Sequence, residues 1–264
     1  MFRKFSIFLF VLLSFSLTGC LKQFYSLSFN SDLSGTYAVR TKIDLNQMSS
    51  FAYSYLSKMG KQQLRGATKE QFKTIFMART QQFSMDEEKK NLEKALPEGV
   101  KIIEVKSQKQ GEVMIIDMKF SFANIAALTS MNDMDISATE IAKKYSAQMG
   151  GKVPGGGMGG GSKGLEFKLD VEQKGDYVIF QQRAAENEQK YSRDQLQMVE
   201  GIMPGLTKAL EESYTQLSIK TPKGFKVVKH NAPKTKKTKN FWKKRFLPNE
   251  EKPNEAVYLK IKKK

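Results

Sequence analysis

Apolar and polar residues alternate with a period of two in two stretches of the chain, and three stretches repeat one order, a hairpin and then a helix. Across residues 36–45, Tyr37, Val39, Thr41, Ile43 and Leu45 fall on one side, and Arg40, Lys42 and Asp44 on the other. That is the pattern of a half-buried strand. Residues 24–29 precede it across Asp32-Leu33-Ser34-Gly35, so the two runs predict a β-hairpin. A second hairpin is predicted between residues 100–105 and 113–120 through Gln110-Gly111. A third joins 165–171 to 177–181 through Lys174-Gly175, with Leu165, Phe167, Leu169 and Val171 alternating with Glu166, Lys168, Asp170 and Glu172.

Helical spacing follows each hairpin. Met48, Phe51, Ala52, Tyr55, Leu56 and Met59 share one helical face. Thr68-x-x-Gln71 is a capping box opening a second helix, with Phe72, Ile75, Phe76 and Phe83 as its apolar face and Pro97 and Gly99 as its stop. Residues 124–128 are expected to be helical. Ser137-x-x-Glu140 then caps a helix that turns Ile141, Ala142, Tyr145 and Met149 inward. Ser192-x-x-Gln195 caps another, interrupted near Pro204-Gly205, and a last strand covers 215–219 and resumes at 225–228. Strands joined by tight turns are antiparallel neighbours, and amphipathic helices need a face to bury against. The expected fold is therefore α+β: an antiparallel sheet built from successive β-hairpins, with amphipathic helices packed on one face. Residues 150–164, mostly glycine, are expected to form a flexible surface loop.

The first residues obey a different pattern. Arg3 and Lys4 precede an apolar run over 5–17, interrupted only by Ser14 and Ser16. The run has the length of a signal-peptide core and falls short of the roughly 20 residues of a membrane-spanning helix. It ends in Leu17-Thr18-Gly19-Cys20, which resembles the lipobox of bacterial lipoproteins. Small residues let the extended chain enter a peptidase site, and the Cys20 thiol supplies the nucleophile for diacylglyceryl transfer. The resemblance implies cleavage before Cys20, recognition through Leu17, Thr18 and Gly19, and a diacylglycerol with an N-acyl chain on Cys20. No other cofactor is expected. Each buried CH₂ contributes about 0.8 kcal/mol, so two or more acyl chains hold a protein stably on a membrane. The expected location is the cell envelope, lipid-anchored outside the cytoplasm. The outer membrane is favoured, because Leu21 is not the aspartate that commonly signals inner-membrane retention.

Charge divides the chain unevenly. Residues 220–264 hold 16 Lys or Arg and 3 Glu, which is +13 of the total +17 and leaves +4 for the rest. Three regions are expected: a signal peptide over 1–19, an α+β envelope domain over 20–231, and a basic tail over 232–264. In the tail, Lys234, Lys236, Lys237, Lys239, Lys243, Lys244 and Arg245 surround Phe241, Trp242 and Phe246. Cations among aromatic rings suit an anionic lipid interface or envelope glycan and also single-stranded nucleic acid. Export disfavours nucleic acid. A solvated extension outside the core, with lysines that only aid solubility, is the other reading. The sequence names no protein partner.

Most catalytic chemistry lacks its residues. His230 is the only histidine and Cys20 the only cysteine, so a Cys/His zinc site cannot form within this chain, and a histidine-based triad would need His230 to reach back to the body, where no G-x-S-x-G motif meets it. Asn132-Asp133-Met134-Asp135 lacks the ligand spacing of an EF-hand, although an all-carboxylate metal site stays open. Gly155, Gly157 and Gly160 spell G-x-G-x-x-G, but a helix precedes and a strand follows, the reverse of a dinucleotide fingerprint. The 13 methionines mostly occupy helix-face positions and read as core filler.

Asp32-Leu33-Ser34-Gly35 soon after the cysteine, the alternating strand over 36–45, and Gly111 followed by a strand ending Phe120-Ser121-Phe122 give the body over 20–229 its resemblance. It is similar to the LppM-like class of bacterial lipoproteins. The resemblance implies an α+β envelope domain without established catalytic residues; the glycine insert and the basic segment depart from the pattern. Two functions follow as expectations. The first is a non-enzymatic binding or structural module anchored to the envelope, and the second a carboxylate-dependent hydrolase of envelope polymers.

Overall fold

Alternation becomes pairing at the start of the chain. In the computed structural model, which describes residues 21–59, 64, 66–80, 85–133, 169–182, 193–245 and 256–264, strand β1 (Leu21–Phe29) lies antiparallel to β2 (Gly35–Asp44), from Leu21↔Ile43 to Phe29↔Gly35. Asp32 holds the turn, accepting from the Ser34 amide at 3.1 Å and the Ser34 hydroxyl at 2.7 Å. Those bonds favour the charged carboxylate and pull its pKa below the ordinary value. Gly35 is required by space: a Cβ there would lie 2.1 Å from the Ser28 carbonyl oxygen and 2.6 Å from the Phe122 ring.

Caps set the helices. Asp44 ends β2 and accepts from the Gln47 amide at 2.9 Å, so Leu45, read from the alternation as strand, instead opens α1 (Leu45–Met59). Met48, Phe51, Ala52 and Leu56 of α1 are buried. The Thr68–Gln71 capping box forms in both directions, Gln71 amide to Thr68 Oγ1 at 3.3 Å and Thr68 amide to Gln71 Oε1 at 2.9 Å, and opens α2 (Lys69–Thr80). Phe72 and Phe76 face inward, with Phe72 against Tyr53 at 5.8 Å between ring centroids. Ile75, expected on that face, is 46% exposed, because the i, i+4 pair of rings fills the narrow contact with α1. Helix α3 (Asp86–Ala95) follows. Phe83 lies outside the described residues, as do the helix expected after Ser137, the glycine-rich segment, Leu165, Phe167 and Ser192.

Strands β3 (Val100–Gln110) and β4 (Val113–Phe122) form the second hairpin, turning at Gly111 with φ +60°. Asn124 Oδ1 accepts from the Ala127 amide at 2.9 Å and opens α4 (Ile125–Asp133). The third hairpin pairs β5 (Leu169–Lys174) with β6 (Tyr177–Gln182). Helix α5 (Arg193–Ile202) breaks as the sequence indicated, and Gly205 at φ +86° leads into α6 (Leu206–Glu212). Glu200 bridges that break, accepting from the amides of Gly205 at 2.5 Å and Thr207 at 2.8 Å. Then come β7 (Tyr214–Lys220), β8 (Phe225–His230), β9 (Lys234–Lys236), β10 (Lys239–Arg245) and β11 (Tyr258–Lys263).

The α+β class stands, with two refinements. The described residues form two sheets: seven strands in the order β3-β4-β2-β1-β7-β10-β9, and four in the order β5-β6-β11-β8. The β1–β7 pair is parallel, whereas the expectation was antiparallel throughout. The first two hairpins share the large sheet and the third begins the small one. Inner residues of both sheets and of the helices form one apolar core, with Phe29 touching both Phe122 and Phe180.

The described residues of the 232–264 segment are not a tail outside the core. They supply β9, β10 and β11, and Trp242, Leu259 and Ile261 are buried to 1% exposure or less. The net charge conceals an alternation: Asn240, Trp242 and Lys244 point in while Phe241, Lys243 and Arg245 point out, and Leu259 and Ile261 alternate with lysines. Lysines on the solvated side of a strand do not oppose burial of the other side. Asn231 joins the sheets, its Oδ1 accepting from Trp242 Nε1 and from the Tyr258 amide, each at 2.9 Å, while its Nδ2 donates to the Ala256 carbonyl at 2.8 Å.

Three variants test this packing. Trp242→Ala should cost about 3–5 kcal/mol in urea unfolding, and deletion of residues 232–264 should abolish the cooperative transition; an unchanged midpoint after deletion would return the segment to the status of a tail. Glu200→Ala should cost about 1 kcal/mol at neutral pH. The two amides lower the Glu200 pKa, so this stabilisation is present above the ordinary glutamate range and is lost as pH falls through the lowered value. Urea titrations of wild type and variant should therefore converge on acidification.

Candidate functional site on the basic face of the main sheet

Register divides the large sheet into two unlike faces. On the inner face one apolar row crosses five strands: Met118, Val39, Tyr25, Leu217 and Trp242. The next row is mostly polar: Ile116, Thr41, Gln23, Thr215 and Lys244. All of these side chains are buried. Gln23 Oε1 accepts from the Tyr25 hydroxyl at 3.4 Å and the Thr215 hydroxyl at 3.5 Å.

The outward face is basic. Strand β3 presents Lys101 and Lys106, and β4 presents Lys119. Arg40 and Lys42 come from β2, Lys22 from β1 and Lys220 from β7. Strand β10 adds Lys239, Lys243 and Arg245, and β9 adds Lys234 and Lys236. The acids on this face are Glu104, Asp117 and, at the end of β2, Asp44, which accepts from the Gln47 amide. Glu104 and Asp117 are matched by cations. Arg40 Nε donates to Asp117 at 2.6 Å and a second guanidinium nitrogen donates at 3.2 Å, while Lys106 reaches Glu104 at 2.7 Å. Hydrogen bonding by Asp117, then its charge, raises the pKa of Arg40, and Glu104 acts likewise on Lys106. The remaining surplus is positive.

Aromatic rings interrupt the cations. Phe24 of β1 meets Tyr214 of β7 edge-on, 5.7 Å between centroids. Lys243 Nζ stands 3.6 Å from the Tyr214 centroid and Lys42 Nζ 5.7 Å from that of Phe24. Such cation–π contacts hold ammonium groups over ring faces. The outer face of the small sheet repeats the chemistry on a smaller scale, with Lys260 Nζ 4.4 Å from the Tyr177 centroid.

The basic cluster read from sequence is thus divided by the strands. Lys234, Lys236, Lys239, Lys243 and Arg245 lie on the outward face, Lys237 sits in the β9–β10 turn at φ +55°, and Lys244 is on the inner face at 1% exposure. Sequence reasoning did not join Lys22, Arg40, Lys42, Lys101, Lys106, Lys119 and Lys220 to that cluster. Arg40 and Lys42 already stood on the polar side of the alternating strand; what was missing was which strands lie beside it. Leu17, Thr18, Gly19 and Cys20 lie outside the described residues, with Cys20 one residue before β1. His230 Nδ1 accepts from the Ala232 amide at 3.1 Å. Among the described residues no three His, Cys, Asp or Glu side chains converge as a metal-ligand set, and no helix is long and apolar enough to cross a membrane.

Comparison with known proteins gives little at the level of sequence: no family model matches the chain, and no curated protein matches it. Among solved structures, the chain is similar to the folded domain of the LppM protein of Mycobacterium tuberculosis, determined by NMR. The likeness is 10% in identity with a TM-score of 0.41, over 92% of this chain and 90% of that one. A likeness at that level assigns neither family nor function.

Removing a partner should discriminate the two ion pairs. The Asp117 side chain is only 10% exposed. Arg40→Met leaves it buried without its cation and should cost about 1–3 kcal/mol. Lys106→Met breaks a half-exposed, solvent-screened pair and should cost clearly less than Arg40→Met. Chemical denaturation of both variants measures the difference.

Proposed function

We propose that this chain is a lipid-anchored envelope protein without catalytic activity, whose folded domain binds an anionic partner through the outward face of its main sheet. The observation that carries the reading is a junction. Leu17-Thr18-Gly19-Cys20 has the lipobox pattern, and β1, which bears Lys22 on the basic face, starts at the next residue. Anchor and binding face are then separated by almost no linker. A strongly basic surface attracts anions at long range, and rings between its cations suit phosphate-bearing partners. The hydrolase reading draws less support. Asp117 is the buried carboxylate among the described residues, and Arg40 already holds it, so no second buried acid faces it across a cleft at the roughly 5–9.5 Å that glycoside hydrolysis uses. Leu21 in place of an aspartate favours delivery to an outer membrane.

The anchor is the part open to direct test. Cells fed an alkyne fatty acid should label the wild-type chain, and Cys20→Ala should abolish both the label and membrane fractionation. Equal labelling of wild type and variant would overturn the reading.

A further inference from the structure

The direction of four strands brings cations to the end of the sheet that Cys20 adjoins. Strands β1 and β7 are parallel, so Lys22 and Tyr214 both stand at strand starts. Strands β2 and β10 run the other way, so Lys42 and Arg245 reach the same row from their strand ends. The adjoining row holds Arg40, Phe24 and Lys243. Lys22 is two residues from Cys20, a separation that extended chain spans in about 7 Å. A bilayer holding Cys20 would therefore lie at this end of the sheet. Rings paired edge to face between ammonium and guanidinium groups match the headgroup zone, where rings sit at the boundary and cations meet phosphate.

We propose that this end of the outward face docks onto the anionic headgroups of the bilayer that holds Cys20, so that the domain lies against the membrane. The inference rests on the anchor proposed above. It commits to a bilayer over a soluble polyanion for two reasons. The anchor would keep headgroups within reach of Lys22 at all times, which raises their effective concentration. The two rows also combine cations from three strands, β1, β2 and β10, with the Phe24–Tyr214 pair, an arrangement suited to an extended interface of charge above hydrocarbon.

The test uses the full chain purified from membranes and reconstituted in nanodiscs, either of phosphatidylcholine or of equal parts phosphatidylcholine and phosphatidylglycerol. A water-soluble amine reagent followed by mass spectrometry reads each lysine, with Lys94 on α3 as reference. Lys22 and Lys42 should react several-fold more slowly on the anionic nanodiscs. The difference should vanish in about 1 M salt, where screening acts within about 3 Å. The triple variant Lys22→Glu, Lys42→Glu, Arg245→Glu should lose the protection while its mass still shows acylated Cys20. For the unacylated chain mixed with anionic vesicles, its affinity should fall on the order of a hundredfold, from about fivefold per cation near an anionic surface. If the triple variant does not fold, Lys22→Glu alone, at an exposed position, should partly restore Lys42 labelling.

Equal reactivity on the two nanodiscs overturns the proposal, as does protection that survives high salt. Protection reproduced on neutral nanodiscs by inorganic phosphate or by a soluble anionic glycan would also overturn it, assigning a general anion site instead. Absence of acyl mass on Cys20 would overturn the anchor alone. Sedimentation of the same chain with anionic and neutral vesicles would then decide the docking independently: preference for the anionic vesicles supports it, and no preference overturns it.

Discussion

The parallel pairing of β1 with β7, from Lys22↔Tyr214 to Ser28↔Lys220, is the contact on which the rest of the main sheet depends. It joins the amino-terminal hairpins to the carboxy-terminal strands, bringing together residues such as Gln23 and Thr215 that are 192 positions apart. Closing so long a loop carries an entropic cost that grows only slowly with length. The return is large: once β7 is in place, β10 has an edge to pair with, and Trp242 gains Leu217 as its neighbour. Without that contact, two separate hairpin sheets would remain, each with open edges.

The same pairing makes the face. Period-two alternation sends one side of every strand inward, so each strand contributes a row of solvated positions to the same outer surface. Several of those positions happen to be lysine or arginine in strands drawn from both ends of the chain. No single strand is strongly basic on that side except β10. The surface becomes strongly basic because β2, β1, β7 and β10 are neighbours and because Asp117 and Glu104 are already matched by Arg40 and Lys106. The inner row of Thr41, Gln23, Thr215 and Lys244 is the counterpart: polar groups carried into the core at the same end of the sheet, with Gln23 accepting from its neighbours.

Asn231 connects this sheet to the smaller one. One side-chain amide satisfies the Trp242 indole of β10 and the main-chain groups of Ala256 and Tyr258 at the entry to β11. A short polar side chain can do this because it carries both donors and acceptors. It also explains why the last residues belong to the domain: β11 pairs with β6 on one side and β8 on the other, closing the small sheet over the shared core.

What the sequence determined by itself is local. Hairpins at Asp32–Gly35, Gln110-Gly111 and Lys174-Gly175, the Thr68–Gln71 box, and the break at Pro204-Gly205 all depend on residues within a few positions of one another, and their chemistry is written in adjacent letters. The lipobox pattern belongs to the same class of signal. Tertiary structure alone decided which strands became neighbours, that β7 runs parallel to β1, that the third hairpin starts a second sheet, and that residues 234–245 and 256–263 belong to the folded domain. Ile75 shows the limit on a small scale: its helical position suited burial, but the space against α1 went to Phe72 and Phe76. Charge misled for a related reason. Net charge sums both sides of a strand, whereas burial reads only one, and the side that Trp242, Leu259 and Ile261 occupy becomes visible only when another strand lies beside it.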